Sequence, residues 1–212
     1  MEHFNIFDFD GTLADSMYVW SDSAPRLLRA LGREPAPDLT SRMVHLNLTD
    51  SLRLMQREYQ LPQSEEELAR MVLGRVEEEY RLRVQPKPGV RRVLEILREH
   101  GCPCCIATST DSPLVQAALE RMGLAEYFAF VLTTRPGAGK DKPDVYLEAL
   151  SRLGGTKPGE AAVFEDSPRC LATAVKAGFQ VYAVEDPYSD LKDYPPGLRA
   201  RLKNWQDWSE SL

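Results

Sequence analysis

The chain has 212 residues, of which 43% are hydrophobic and 27% are charged. This composition is typical of a globular protein, and the length is enough for one or two domains with a sizeable core. The formal net charge of -6 argues against a broad electrostatic surface for nucleic acid or for an anionic membrane. We therefore expect small-molecule partners, with no nucleic acid and no membrane among them.

The sequence shows no recognisable targeting signal, and its cysteine usage also favours a reducing compartment. No stretch approaches the roughly 18 consecutive apolar residues of a membrane span, and the N-terminus, with Glu2 and early aspartates, is unlike a signal peptide. Cys102 and Cys105 in "GCPCCIATS" have the C-x-x-C spacing of a redox or zinc motif. The apolar run that follows, residues 106–108, instead favours buried strand cysteines. We expect a cytoplasmic protein.

The first half of the chain predicts one short strand followed by helices. Residues 4–7 are aromatic and branched, which is typical of a buried strand. From residue 15 to about residue 85 no strand signal occurs, and helices are predicted at 25–31, 51–59 and 64–83. In the last of these, apolar residues recur at spacings of three and four among many Glu and Arg: Leu68, Met71, Val72 and Val76.

After residue 86, strand and helix patterns alternate. Strands are predicted at 104–107, 128–133, 161–164 and 180–184, with amphipathic helices between them. This alternation predicts an α/β fold, a Rossmann-like parallel sheet with helices on both faces. The expected core domain comprises residues 1–14 and 86–212, and an all-helical insertion occupies residues 15–85.

Two carboxylates follow the first predicted strand, in "FNIFDFDGTLADS". Asp8 and Asp10 leave this strand at its carboxyl end, where open parallel sheets bind ligands. Two such carboxylates repel each other unless a cation lies between them, and Mg²⁺ is a hard ion that accepts carboxylate and phosphate oxygens. Gly11 permits a tight turn that brings amides near an anion, and Thr12 adds a hydroxyl.

Two simpler interpretations of the paired aspartates are weaker. A calcium loop of the EF-hand type requires glycine at its sixth position and glutamate at its twelfth. Counted from Asp8, those positions hold Leu13 and Val19. Capping of the following helix explains one of the two carboxylates but not both.

These residues resemble the first motif of the haloacid dehalogenase superfamily, which consists chiefly of aspartate-nucleophile phosphatases. Three further motifs of that family follow in order, each at the end of a predicted strand. Thr108 in "CIATST" resembles the second, "GKDKPD" resembles the third, and "VFEDSP" resembles the fourth. The resemblance spans essentially the whole chain and implies that the helical insertion is a type C1 cap domain.

The resemblance implies a phosphatase that acts on a small phosphate ester through an aspartyl phosphate. Asp8 would attack phosphorus, while Asp10 would protonate the leaving alcohol and then accept a proton from water. The Thr108 hydroxyl would hold a phosphoryl oxygen, and Lys140 would neutralise charge on the transferring group.

The same resemblance implies a Mg²⁺ cofactor. Its ligands would be Asp8, the backbone carbonyl of Asp10 and Asp166, with Glu165 as their close partner. Substrate contacts are expected around the nucleophile and from the cap, namely Gly11, Thr12, Ser109, Arg42 and His45. Tyr18, Trp20 and Asn47 are further cap residues for which substrate contact and cap packing both stay open.

The chain departs from the family pattern at two places. The third motif contains both Lys140 and Lys142; alignment on Pro143-Asp144 puts Lys140 at the motif position. Cys170 stands where glycine is usual after the fourth motif. We do not expect Cys170 to remove catalysis.

Other reactions and roles on this fold are less well supported. Asp10 favours phosphoryl transfer over dehalogenation, and no lysine between residues 15 and 86 is available as the Schiff-base amine of a phosphonoacetaldehyde hydrolase. A beta-phosphoglucomutase-like phosphotransferase stays an alternative, although Leu48 stands where its phosphate-binding arginine is expected. A non-catalytic metabolite-binding or partner-binding protein is a second alternative, but such proteins usually lose the acidic residues that are present here.

The leading substrate hypothesis is a sugar phosphate or a phosphoglycolate-like compound. The tail of the chain contains Trp205 and Trp208, which predict either packing on the sheet edge or a dimer contact. We therefore expect a monomer or a homodimer.

Overall fold

The structure, a computed structural model, describes residues 2–43, 46, 48–134, 139–189 and 194–209. Its helices and strands follow in chain order as β1 (Phe4–Phe7), β2 (Ala14–Asp15), α1 (Met17–Ser21), α2 (Ser23–Ala30), α3 (Leu39–Met43), α4 (Leu48–Tyr59), α5 (Glu65–Leu82), β3 (Gln85–Pro86), α6 (Val90–Glu99), β4 (Cys104–Thr108), α7 (Ser112–Met122), β5 (Phe128–Thr133), α8 (Asp144–Leu153), β6 (Ala161–Glu165), α9 (Pro168–Lys176), β7 (Gln180–Val184), β8 (Ala200–Leu202) and α10 (Trp205–Ser209). The chain divides into two compact units, one comprising Met1–Asp15 with Val84–Leu212 and the other Ser16–Arg83.

The first unit contains a six-stranded sheet with strand order β5-β4-β1-β6-β7-β8. Every neighbouring pair in this sheet is parallel. The predicted α/β fold with a Rossmann-like parallel sheet is confirmed. β1 lies between β4 and β6, and all four of its residues are buried, because parallel strands are covered on both faces and favour continuous apolar runs.

Alternate residues of β1 serve the two faces of the sheet. Phe4 and Ile6 pack in one core cluster with Tyr146 of α8 and Leu171 of α9. Phe7 contributes to the opposite face, where its ring stacks on that of Phe164 with 4.6 Å between the centroids. The period-two alternation of side chains therefore closes the core on both sides of the central strand.

The C-terminal tail completes the second face. Trp205 is 1% exposed, and its ring centroid lies 5.8 Å from that of Phe7 and 5.3 Å from that of Phe164. Trp208 joins the same aromatic cluster. The tail also adds β8 to the sheet edge beside β7. This strand was not predicted from the sequence, because three residues are too few to show an alternating pattern.

The indole of Trp205 also contacts the loop that follows β1. Its Nε1–H donates a buried hydrogen bond of 2.9 Å to the carbonyl oxygen of Thr12. Gly89 allows the tail to approach this closely: a Cβ atom there would lie 2.8 Å from the backbone nitrogen of Gln206, and its φ of +89° is also strained for other residues. The tail thereby anchors the loop that carries the paired aspartates.

Trp205→Phe tests this anchor. The substitution retains a ring but removes the indole N–H, so the buried carbonyl of Thr12 loses its donor. We expect the free energy of unfolding to fall by about 1–3 kcal/mol, measured by chemical denaturation. An unchanged denaturation midpoint would show that the hydrogen bond does not stabilise the loop.

A two-stranded antiparallel ribbon joins the segments at which the inserted unit leaves and rejoins the first unit. Ala14 pairs with Pro86, and Asp15 pairs with Gln85. The backbone amide of Lys87 continues the contact by donating to the carbonyl of Leu13 at 2.8 Å. The sequence predicts helix from residue 15 onward, because the two-residue strands β2 and β3 are too short to show a strand pattern.

The second unit is helical. Ser64 caps α5 through a capping box, in which its side chain accepts from the Glu67 amide and the Glu67 carboxylate accepts from the Ser64 amide. The buried face of α5 comprises Leu68, Val72, Val76, Glu79 and Tyr80, whereas Met71 of the predicted stripe is 40% exposed. Among the described residues, no helix has the length and apolar character needed to cross a membrane.

The cysteines of "GCPCCIATS" lie in and next to β4. Cys104 and Cys105 are buried strand residues, and Cys102 is partly exposed. None of these three cysteines forms a disulfide, and neither does Cys170 in α9. Burial raises the pKa of Cys104 to about 12, which suppresses thiolate formation at neutral pH. The arrangement fits the interpretation as buried strand cysteines rather than a redox pair.

Candidate active site

The four sequence motifs meet at one edge of the sheet. Asp8 directly follows β1, Thr108 ends β4, and Glu165 ends β6 and is followed by Asp166. Since β4, β1 and β6 are neighbours and parallel, their carboxyl ends lie side by side. Lys140 reaches the same place from the segment before α8. The topology thus brings together residues that are up to 158 positions apart in the chain.

Three buried carboxylates form the centre of the site. Asp8, Glu165 and Asp166 are each less than 8% exposed, and each offers an oxygen within 4.8 Å of the others. Burial, followed by the charge of Glu165, raises the pKa of Asp8 well above its ordinary value. The same two causes raise the pKa of Asp166 to about 7. Burial and mutual repulsion make this group of carboxylates unfavourable by itself. A hard divalent cation, which prefers oxygen ligands, would offset that repulsion.

Lys140 provides a positive charge inside this cluster. Its Nζ donates to Asp8 Oδ1 and, at 2.6 Å, to Glu165 Oε1. Burial opposes the charge on Lys140, but the carboxylates of Asp8 and Glu165 outweigh it and raise the pKa above the ordinary value. Lys142 is exposed. The structure therefore puts Lys140, rather than Lys142, against the buried carboxylates.

Both oxygens of Glu165 accept hydrogen bonds from protein groups. Besides Lys140, Oε1 accepts from the hydroxyl of Tyr146 at 2.9 Å. Oε2 accepts from the backbone amides of Asp166 and Ser167 at 3.1 and 3.2 Å. Because donors already occupy both of its oxygens, Glu165 is less suited than Asp8 or Asp166 to bind a metal ion directly. Asp8 and Asp166 keep more of their oxygen lone pairs for a cation.

Asp10 is half-buried beside the second motif. Its Oδ2 accepts a hydrogen bond of 2.6 Å from the hydroxyl of Thr110. The Thr108 hydroxyl is buried and accepts from the Thr110 amide at 3.1 Å, which leaves its own hydrogen available to a ligand oxygen. Ser109, between them, is exposed.

The next feature of the site is the turn after Asp10, which contains Gly11 and Thr12. Gly11 has a φ of +74°, and its amide donates to the carbonyl of Ala14 at 3.0 Å. The amide expected near an anion is therefore engaged within the turn. The Thr12 hydroxyl is fully buried and has no hydrogen-bond partner among the residues that the structure describes.

The predicted cap residues belong to the second unit. Arg42 forms hydrogen bonds of 2.8 and 3.0 Å with both carboxylate oxygens of Glu58 and an ion pair with Asp38. The Trp20 indole donates to Tyr80, and the Tyr18 hydroxyl donates to Glu79. His45 and Asn47 lie outside the described residues. Substrate contact by any of these residues stays a prediction.

Three residues that the sequence motifs do not assign to the site hold its carboxyl groups. Thr110 holds Asp10, and Tyr146 of α8 holds Glu165. The Ser189 hydroxyl donates to Asp166 Oδ2 at 2.5 Å. Ser189 follows β7 in a turn where Asp186 accepts from the Tyr188 amide at 2.9 Å. No local pattern marks these contacts, because each joins two segments that are distant in the sequence.

Comparisons with known proteins identify the family of the chain. The family model of haloacid dehalogenase-like hydrolases matches residues 5–184. A "Probable pseudouridine-5'-phosphatase" of Drosophila melanogaster is 32% identical over 190 residues, covering 86% of this chain and 81% of the relative. A "Phosphorylated carbohydrates phosphatase" of Thermotoga maritima is 28% identical over 189 residues, covering 88% and 87%.

A solved structure matches over the full length of both chains. It is described as a "putative beta-phosphoglucomutase from Thermotoga maritima", with 27% identity and a TM-score of 0.84. The family model matches most of the chain, and both relatives are named as phosphatases. The chain belongs to the haloacid dehalogenase-like hydrolase family, and within that family it is a phosphatase, a phosphoric monoester hydrolase.

Proposed function

We propose that the protein is a Mg²⁺-dependent phosphatase that hydrolyses a small phosphorylated metabolite through an aspartyl-phosphate intermediate. The observation that carries this proposal is the buried cluster of Asp8, Glu165 and Asp166, with Lys140 inside it and Asp10 beside it. In this proposal Asp8 is the nucleophile, Asp10 is the acid and Lys140 is the cationic group. This is the set of groups that phosphoryl transfer requires.

In the proposed first step, a carboxylate oxygen of Asp8 forms a bond to phosphorus while the bond to the leaving oxygen breaks. Asp10 supplies the proton that the leaving alkoxide takes up. In the second step, water attacks the phosphorus of the aspartyl phosphate and gives a proton to Asp10. The bond between phosphorus and the Asp8 oxygen breaks, inorganic phosphate leaves, and the Asp8 carboxylate is restored. Lys140 and the Thr108 hydroxyl would contact phosphoryl oxygens throughout.

The donor set fits a divalent cation. Asp8 and Asp166 would be the carboxylate ligands, and the backbone carbonyl of Asp10 would add a third oxygen. When bound, Mg²⁺ reduces the repulsion between a carboxylate nucleophile and a phosphate dianion. Glu165 would support this site by holding Lys140 and the backbone of Asp166.

Removal of divalent metal tests the cofactor assignment. After dialysis against EDTA we expect phosphate release to fall to background, because the buried carboxylates then repel the phosphate. Added Mg²⁺ should restore the rate. Turnover that is unchanged in EDTA would contradict the metal assignment, even if the phosphatase activity itself is real.

For the substrate we propose a sugar phosphate, with a phosphoglycolate-like compound as the other possibility. The names of the two relatives support the former, since both refer to phosphate carried on a sugar. We propose that the unit Ser16–Arg83 serves as a C1 cap that admits only small substrates. We also propose that the protein is cytoplasmic and is a monomer or a homodimer.

The deciding experiment is Mg²⁺-dependent phosphate release from a panel of small esters. The panel should include pseudouridine 5'-phosphate, hexose and pentose phosphates, hexitol phosphates and phosphoglycolate, with Asp8→Asn as the control enzyme. Release that the control lacks supports the proposal, and the ranking of kcat/KM identifies the substrate class. No release from any ester would favour a mutase or a binding role. Conversion of glucose 1-phosphate to glucose 6-phosphate would then distinguish those two.

A further inference from the structure

A short hydrogen bond joins Asp10 to Thr110, which follows the motif threonine Thr108 by two residues. The Thr110 hydroxyl donates to Asp10 Oδ2 at 2.6 Å, a contact between residues that are 100 positions apart. This distance is within the normal range for a hydrogen bond from a hydroxyl group to an oxygen. Thr110 is 8% exposed, so little water competes for the bond.

The backbone around Thr110 is itself held at both ends. Its amide donates to the Thr108 hydroxyl at 3.1 Å, and its carbonyl accepts from the Thr133 hydroxyl of β5 at 3.3 Å. The Thr134 amide adds a bond of 3.0 Å to the carbonyl of Thr108. The hydroxyl of Thr110 is thus a fixed donor, anchored to β4 and β5. Asp10 lies in a turn and is only half-buried.

We propose that Thr110 is a positioning residue that orients the carboxyl group of Asp10 for proton transfer. This inference rests on the proposed function, in which Asp10 is the acid and base. Because Thr110 donates to Oδ2, that oxygen acts as an acceptor, and the exchangeable proton of Asp10 lies on Oδ1. That proton passes to the leaving oxygen as the phosphorus–oxygen bond breaks. Oδ1 later regains a proton from the attacking water, and the Thr110 hydroxyl keeps its own hydrogen throughout.

A positioning role predicts an effect that depends on the leaving group. A sugar phosphate releases an alkoxide, which requires a proton in the transition state. The leaving group of p-nitrophenyl phosphate is a stable phenolate, which requires little protonation. Loss of Asp10 orientation should therefore slow the first substrate selectively, whereas general damage to the site should slow both substrates alike.

The experiment compares Thr110→Val and Thr110→Ser with wild type. Valine has nearly the shape of threonine but has no hydroxyl, whereas serine retains it. For Thr110→Val we expect kcat/KM for the preferred sugar phosphate to fall about 10- to 100-fold, a part of the usual contribution of general acid catalysis. The kcat/KM for p-nitrophenyl phosphate should stay within about threefold of wild type, and Thr110→Ser should be close to wild type on both substrates. The ratio of the two constants is independent of the fraction of folded enzyme.

Asp10→Asn separates failure of this inference from failure of the proposed function. If Asp10→Asn loses the sugar phosphate selectively but Thr110→Val does not, the positioning role is overturned while the acid assignment stands. Equal losses on both substrates in Thr110→Val, or a Thr110→Ser variant as slow as Thr110→Val, would overturn it in the same way. If Asp10→Asn retains full turnover of the sugar phosphate, the proposed role of Asp10 fails, and the inference fails with it.

Discussion

Asp8→Asn is expected to lower phosphate release by on the order of 10⁴-fold or more, the size of effect seen when a covalent nucleophile is removed. The amide has almost the same shape as the carboxylate but cannot form the aspartyl phosphate. The fold should be unaffected. Burial and Glu165 raise the pKa of Asp8, so the ionised group is disfavoured in the native state. We therefore expect a melting temperature in EDTA at or above that of wild type.

Two measurements complete this prediction. Circular dichroism and thermal melting should show a native fold for Asp8→Asn, so that a loss of rate is not a loss of protein. The matched control is Glu126→Gln, which exchanges an exposed carboxylate that pairs with Arg98 for an amide. It should have wild-type activity. Substantial turnover by Asp8→Asn would mean that another group attacks the phosphorus.

Lys140→Met should have the second largest effect, on both activity and stability. Methionine fills most of the space of the lysine stem but leaves Asp8 and Glu165 without their shared cation. We expect a loss of rate on the order of 10²- to 10³-fold, as for removal of one group that stabilises developing charge. The free energy of unfolding in EDTA should fall by about 3–5 kcal/mol, because a buried ion pair loses one partner. Added Mg²⁺ should recover part of that loss.

The neighbouring lysine provides the matched control. Lys142 is exposed, and Lys142→Met should change neither the rate nor, by more than about 0.5 kcal/mol, the stability. The two variants are compared by steady-state kinetics and by denaturation with and without Mg²⁺. The reverse order of effects would move the third motif by two residues and remove Lys140 from the proposed mechanism.

Much of this protein can be predicted from local patterns in the chain. The alternation of short apolar runs with amphipathic segments predicted the parallel sheet, and the sheet is present with β1 in its centre. The positions of Asp8, Thr108, Glu165 and Asp166 at strand ends also follow from these patterns. In a parallel sheet the carboxyl ends of neighbouring strands meet at one edge, so strand assignment alone brings such residues together.

The short strands and the packing of the C-terminal tail could not be predicted from such local patterns. The strands β2, β3 and β8 contain two or three residues each, which is too few for a periodic signal. The tryptophans of the tail were compatible with packing on the sheet or with a dimer contact. Only the folded chain shows Trp205 buried against Phe7 and bonded to the loop after β1.

The sequence by itself determined the fold class and the family, because both depend on hydrophobic periodicity and on motifs a few residues long. The tertiary structure put Lys140, the lysine that the motif alignment favours, against Asp8. It alone revealed that Thr110, Tyr146 and Ser189 hold the carboxyl groups of the site. Each of these contacts joins side chains on separate loops or helices. Their distances depend on how those segments pack in three dimensions, and no pattern within a single segment records that packing.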